Sequence, residues 1–115
     1  MNVNPLILGL KDIDSLSGIP VEQDEYEGTA KTYITFTYED EKGTQFGDNK
    51  VIADTAYMQI NLFTPKKFNY LTLKEVIKTY LEGLGCVTSI QSSLYSINNE
   101  KIRQTTFTCE ITKER

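Results

Sequence analysis

Residues 57–63 read YMQINLF, a stretch in which Met58, Ile60 and Leu62 share one side of an extended chain while Tyr57, Gln59 and Asn61 share the other. Successive side chains of a strand point to opposite faces, so one face here is apolar and the other polar without charge. The apolar side marks a strand laid on a core. The polar side poses the functional question, because a sheet face turned to water normally carries many Lys and Glu.

Working outward, KTYITFTYE at 31–39 alternates in the same way, with Ile34, Phe36 and Tyr38 on the core side and Tyr33, Thr35 and Thr37 opposite. These are strand-forming residues. The charged, glycine-containing segment that follows predicts an antiparallel hairpin with a long loop over 40–50, and a loop of that length is expected to order on contact with a partner. Further on, LTLKEVIKTYLEGLG at 71–85 sets Leu73, Val76, Ile77, Tyr80, Leu81 and Leu84 on one helical stripe. Thr72 and Glu75 have capping-box spacing and Gly85 stands where a C-cap belongs.

The last third reads as two strands joined around Asn98-Asn99, with Thr105, Phe107, Cys109 and Ile111 on the core face and Thr106, Thr108, Glu110 and Thr112 on the other. At the start of the chain, Asn4 as N-cap, Pro5 in the first turn, and Leu6, Ile7, Leu10 and Ile13 at helical spacing predict a first helix ending near 15–18, with Gly9 inside it. The predicted order is α-β-β-α-β-β, an α+β arrangement with two helices packed on one face of a mostly antiparallel four-stranded sheet, all in one domain over 1–115. The second face then collects Tyr33, Thr35, Thr37, Tyr57, Gln59, Asn61, Thr106, Thr108 and Thr112. Such residues suit burial once their hydrogen bonds are met, and they are equally good strand formers on a solvated face.

Bulk properties exclude several classes. With 115 residues, 39% apolar and 24% charged, the chain can bury one core and is neither disordered nor membrane-like in composition. Its net charge of −4 repels nucleic-acid phosphates. No apolar run approaches the roughly 20 residues of a spanning helix, and the N-terminus lacks a basic signal region, so the expected location is the cytoplasm in which the protein is made. With no histidine, and no GxSxG, GxGxxG or GxxxxGK[ST] stretch, the sequence carries no pattern for nucleophilic catalysis or nucleotide binding. Nothing in it calls for a cofactor or a metal: Cys86 and Cys109 lack CxxC spacing, and Glu22, Asp24, Glu25 and Glu27 lack the Ca²⁺-loop pattern and read as a solvated segment. Lys66-Lys67 reads as a solubilising turn.

Taken together, the leading helix, GIPVEQDEYEGTAKTYITFTY at 18–38, DTAYMQINLFTPK at 54–66, the 71–85 helix and the closing hairpin to QTTFTCEITKE resemble the tail-completion or tail-terminator (tail-to-head joining) proteins of long-tailed bacteriophages and prophages. The resemblance spans nearly the whole chain. It implies a structural, non-enzymatic virion protein that assembles as a ring, commonly a hexamer, at the head-proximal end of the tail tube. There it stops tube polymerisation, contacts the major tail tube protein, and receives the head-completion or connector protein, while DNA passes through the ring unread. On this reading Tyr33, Thr35, Tyr57, Gln59 and Asn61 are the expected subunit contacts, and Asp40, Glu41 and Asp48 the expected axial or lumen loop. The alternative is a small ferredoxin-like ligand-binding or regulatory module, which needs a pocket with convergent polar groups.

Overall fold

The computed structural model describes residues 4–47 and 50–114, without the side chains at 40–52, 87–88 and 113–114. Its elements run α1 (Asn4–Leu8), two 3₁₀ turns (Gly9–Asp12 and Asp14–Leu16), β1 (Val21–Gln23), β2 (Tyr33–Gly47), β3 (Lys50–Pro65), α2 (Tyr70–Gly83), β4 (Val87–Ile97) and β5 (Glu100–Glu114). The strands form one sheet in the order β1-β2-β3-β5-β4. All neighbours are antiparallel except β1 and β2, which run parallel.

This corrects the expected architecture: the sheet is mixed and has five strands instead of four, and the first of the two expected helices shrinks to five residues. The added strand is three residues long, with only Val21 buried, and is too short to show a period. The first helix yields to 3₁₀ turns at Gly9. A Cβ there would strike the Tyr80 hydroxyl, which donates to the Leu6 carbonyl at 2.5 Å, so a glycine is what lets α2 approach this closely.

The expected loop over 40–50 is strand on both sides. β2 continues to Gly47 and β3 begins at Lys50, paired from Asp40↔Tyr57 to Gly47↔Lys50 after a bulge between Tyr38 and Asp40. Asp40 and Glu41 therefore lie within β2, and Asp48 falls outside the described residues. With β5 alongside β3 as far as Ala53↔Glu114, this makes the molecule long, 56 × 27 × 23 Å.

The core lies on one face of the sheet. Ile34, Phe36, Ala56, Met58, Ile60, Leu62, Phe107, Cys109 and Ile111 meet Leu73, Ile77 and Leu81 of α2, and Ile7, Leu10 and Leu16 of the N-terminal segment. Burying each Leu, Ile, Phe or Met of this set stabilises the fold by about 1.5–3 kcal/mol. The stripe of α2 follows its spacing, with Val76, Tyr80 and Leu84 packed at its margin.

Both ends of α2 have a local cause. Asn69 Oδ1 accepts from Leu71 N–H at 3.3 Å, so the helix starts before the anticipated Thr72 cap. At the other end Gly85, at φ +82°, donates to the Glu82 carbonyl while Cys86 donates to that of Leu81, the two bonds of a Schellman motif. The β4–β5 turn is Asn98-Asn99, both with positive φ, as a two-residue type I′ hairpin requires. Because β5 lies between β3 and β4, the β3-α2-β4 connection is a split βαβ unit, and the described chain holds one of these where a ferredoxin-like fold holds two.

Candidate functional site: the uncharged sheet face

The face away from the helices is built by register. Thr35 stands opposite Asn61 and Thr37 opposite Gln59 across β2–β3. Asn61 in turn stands opposite Thr106, and Gln59 opposite Thr108, across β3–β5. Thr106 and Thr108 stand beside Gln91 and Ser89 of β4. Glu22 of β1 stands beside Thr35 at the edge, so five strands contribute to one surface whose middle carries no charge.

Its polar groups satisfy one another. Asn61 Oδ1 accepts from Gln104 Nε2 and from Thr106 Oγ1, both at 2.9 Å, and Asn61 Nδ2 donates to Gln59 Oε1 at 3.2 Å. The Thr55 and Thr112 hydroxyls share a bond at 2.9 Å. Asn61 and Thr35 are each only 5% exposed although they face outward. The face is therefore partly dehydrated by its own side chains, and covering it leaves few polar groups unpaired, which lowers the cost of an interface.

One end of the face is aromatic. Tyr26 stacks on Tyr33 with ring centroids 4.6 Å apart, and Tyr33 stacks on Phe63 at 4.7 Å. The Tyr26 hydroxyl accepts from Ala30 N–H at 2.9 Å, which fixes the 24–32 connection beneath this row. Burial pushes the Tyr33 phenol up, with the Tyr26 phenol adding to it. Burial likewise raises Tyr95 of β4, with the Tyr33 phenol adding to it.

Of the anticipated contact residues, the structure brings Tyr33, Thr35, Gln59 and Asn61 together. Tyr57 lies further along β3, opposite Asp40 and Glu110. Phe63 and Gln104 were missed, although each continues a quoted alternation by one step of two. Tyr26 had no periodic signal, because a connection places it.

Elsewhere Cys86 and Cys109 are free and buried, and their mutual hydrogen bond together with burial pushes the Cys109 thiol up. Glu22, Asp24, Glu25 and Glu27 are exposed, and a hydrogen bond that protonated Glu25 donates to Glu27, together with repulsion by Glu27, raises Glu25. Among the described residues no group of three or more acidic, His or Cys side chains is placed to hold a metal, and no helix is long and apolar enough to cross a membrane. A groove of about 470 Å³ between the N-terminal segment and α2 is lined by Ile13, Ser15, Glu75, Val76, Thr79 and Tyr80, with one carboxylate and no cation facing it.

No family model and no curated protein matches this chain. Nineteen solved chains match its fold. One of them, which carries a sequence identifier and no functional description, superposes with a TM-score of 0.56 at 9% identity, covering 98% of this chain and 89% of the other. At that identity the likeness shows the fold alone.

Proposed function

We propose that this chain is a structural protein of a long-tailed phage or prophage which forms a ring, a hexamer by the resemblance, at the head-proximal end of the tail tube, ends tube growth there, and joins tail to head. The observation that carries this reading is the open sheet face: five strands wide, uncharged in its middle, internally hydrogen-bonded around Asn61 and aromatic at one end. A heterologous ring needs one surface of a subunit to meet a different surface of the next, and this face supplies one of the two. Tyr-rich, charge-depleted surfaces have the composition of interface cores. The reading requires no catalysis and no cofactor, and the acidic chain suits a conduit from which DNA must slide freely.

The test pairs native mass spectrometry with negative-stain microscopy of the purified protein, alone and with tail tubes. Rings are expected for the parent chain. Tyr57→Glu combined with Gln59→Lys should keep the fold, as checked by circular dichroism, and abolish the ring. Unchanged assembly of that variant removes the sheet face from the account, and a parent chain that neither forms rings nor caps tubes overturns the function.

A further inference from the structure

The two edges of the sheet are treated differently by the sequence. On one side β1 covers β2 only at Ile34, Thr35 and Phe36, and the uncovered part of β2 carries a bulge at Glu39 followed by Asp40, Glu41 and Lys42. Short cover, bulges and charges are the usual protections against edge-to-edge pairing. On the other side β4 runs from Val87 to Ile97 with no bulge in its register to β5, and residues 87–99 contain neither a charge nor a proline. No other described strand pairs with its outer side. Leu94 and Ile97 are 44% and 45% exposed along it.

The free backbone groups of β4 follow from the hydrogen-bond phase of the sheet. Ile34 N–H donates to the Pro20 carbonyl and the Phe36 carbonyl accepts from Asp24 N–H, so Ile34 and Phe36 point toward β1. Because direction alternates along a strand, Thr35 and Thr37 point toward β3. Carrying the alternation through the registers, Phe107 points to β3, Thr106 and Thr108 point to β4, and Gln91 and Ser93 point back to β5. Ile90, Ser92 and Leu94 therefore present their N–H and C=O groups outward.

We propose that this edge pairs with β4 of a second copy of the chain, antiparallel about a two-fold axis at Ser92, joining two sheets into one. The segment Ile90-Gln91-Ser92-Ser93-Leu94 is self-complementary in that register. Ser92 meets its own copy, Gln91 meets the partner's Ser93 on the uncharged face, and Ile90, already packed against the core, meets the partner's exposed Leu94 on the helix face. Shifting the axis to Gln91 or Ser93 pairs Ile90 with a serine and leaves Leu94 without an apolar counterpart. In a chain of net charge −4, residues 87–99 are where two copies can approach without like charges meeting. The contact is isologous and closes on itself, and it makes the uncharged faces of two subunits continuous. It is independent of the ring reading.

The test is sedimentation velocity combined with site-directed crosslinking of the intact chain. The parent is expected to dimerise. Leu94→Pro removes an outward N–H and none of the bonds to β5, so, added to the Tyr57→Glu, Gln59→Lys chain that lacks the ring contact and should sediment as a dimer, it should fold normally and sediment as a monomer. In the proposed register the two Ser92 Cα atoms lie about 5.5 Å apart, within disulfide range, so Ser92→Cys should give a linked dimer under mild oxidation. Ser96→Cys, whose copies lie at opposite ends of the paired strands, should not. A parent that is monomeric at every concentration overturns the proposal, as do equal crosslinking at both positions and a dimer that survives Leu94→Pro. Loss of rings on changing Tyr57 and Gln59, with the Ser92→Cys link retained, separates the two contacts.

Discussion

At the level of single side chains, the polar face is organised by Asn61. Its amide oxygen takes two donors, Gln104 and Thr106, and its amide nitrogen supplies Gln59, all at a position 5% exposed. Removing one partner of a mostly buried bond leaves the others unmet and costs about 1–3 kcal/mol. Asn61→Ala is therefore expected to destabilise by about that amount in urea titrations, whereas Thr108→Ala, exposed on the same face, should fall within about 0.5 kcal/mol of the parent. Equal costs at the two positions would refute the view that the face is pre-satisfied around Asn61. The alternation Tyr57, Gln59, Asn61 was legible in the sequence, but the bonds among them were not, because they depend on which strand lies beside β3. That neighbour is β5, some forty residues away in the chain.

Among the elements, α2 shows how a correct helix can be given the wrong cap. Thr72 and Glu75 fit the reciprocal spacing, yet Asn69 sits where the chain leaves the β3 turn and its side chain accepts from Leu71 N–H. An N-cap of this type contributes about 0.5–2 kcal/mol. Asn69→Ala should lower the thermal midpoint measurably, and Thr72→Ala, now an exposed residue inside the helix, should change it little. The reverse order would restore the capping box. The C-terminal end was legible because Gly85 alone decides it, and the Asn98-Asn99 turn for the same reason. The pairing of β1 was not, since a three-residue parallel strand is specified by the space left beside Ile34 and Phe36. The strand character of 40–47 was hidden as well, because its charges and glycines break the alternation that marks 33–38 and 57–63.

For the molecule as a whole, the β2–β3 hairpin raises a question of purpose. The helices, the short β1 and the core cluster occupy one part of a body 56 Å long, and β2 and β3 run on past them. On β2 and β3 the described cluster members are Ile34, Phe36, Ala56, Met58, Ile60 and Leu62, and the role of the extension is tested by shortening it. Replacing Gly43–Asp54, a paired pair in the register, and everything between them with an Asn-Gly turn joining Lys42 to Thr55 keeps every described member of the main cluster and removes the buried Ala53. The shortened chain is expected to unfold cooperatively, with a thermal midpoint within a few degrees of the parent, and to fail to cap tail tubes in the microscopy assay. Full capping by the shortened chain would show that the hairpin is dispensable to assembly and leave the sheet face to carry it. Loss of the fold itself would mean that the hairpin supports the body, through the fully buried Ala53 or through the pairs that Ala53 and Asp54 make with β5.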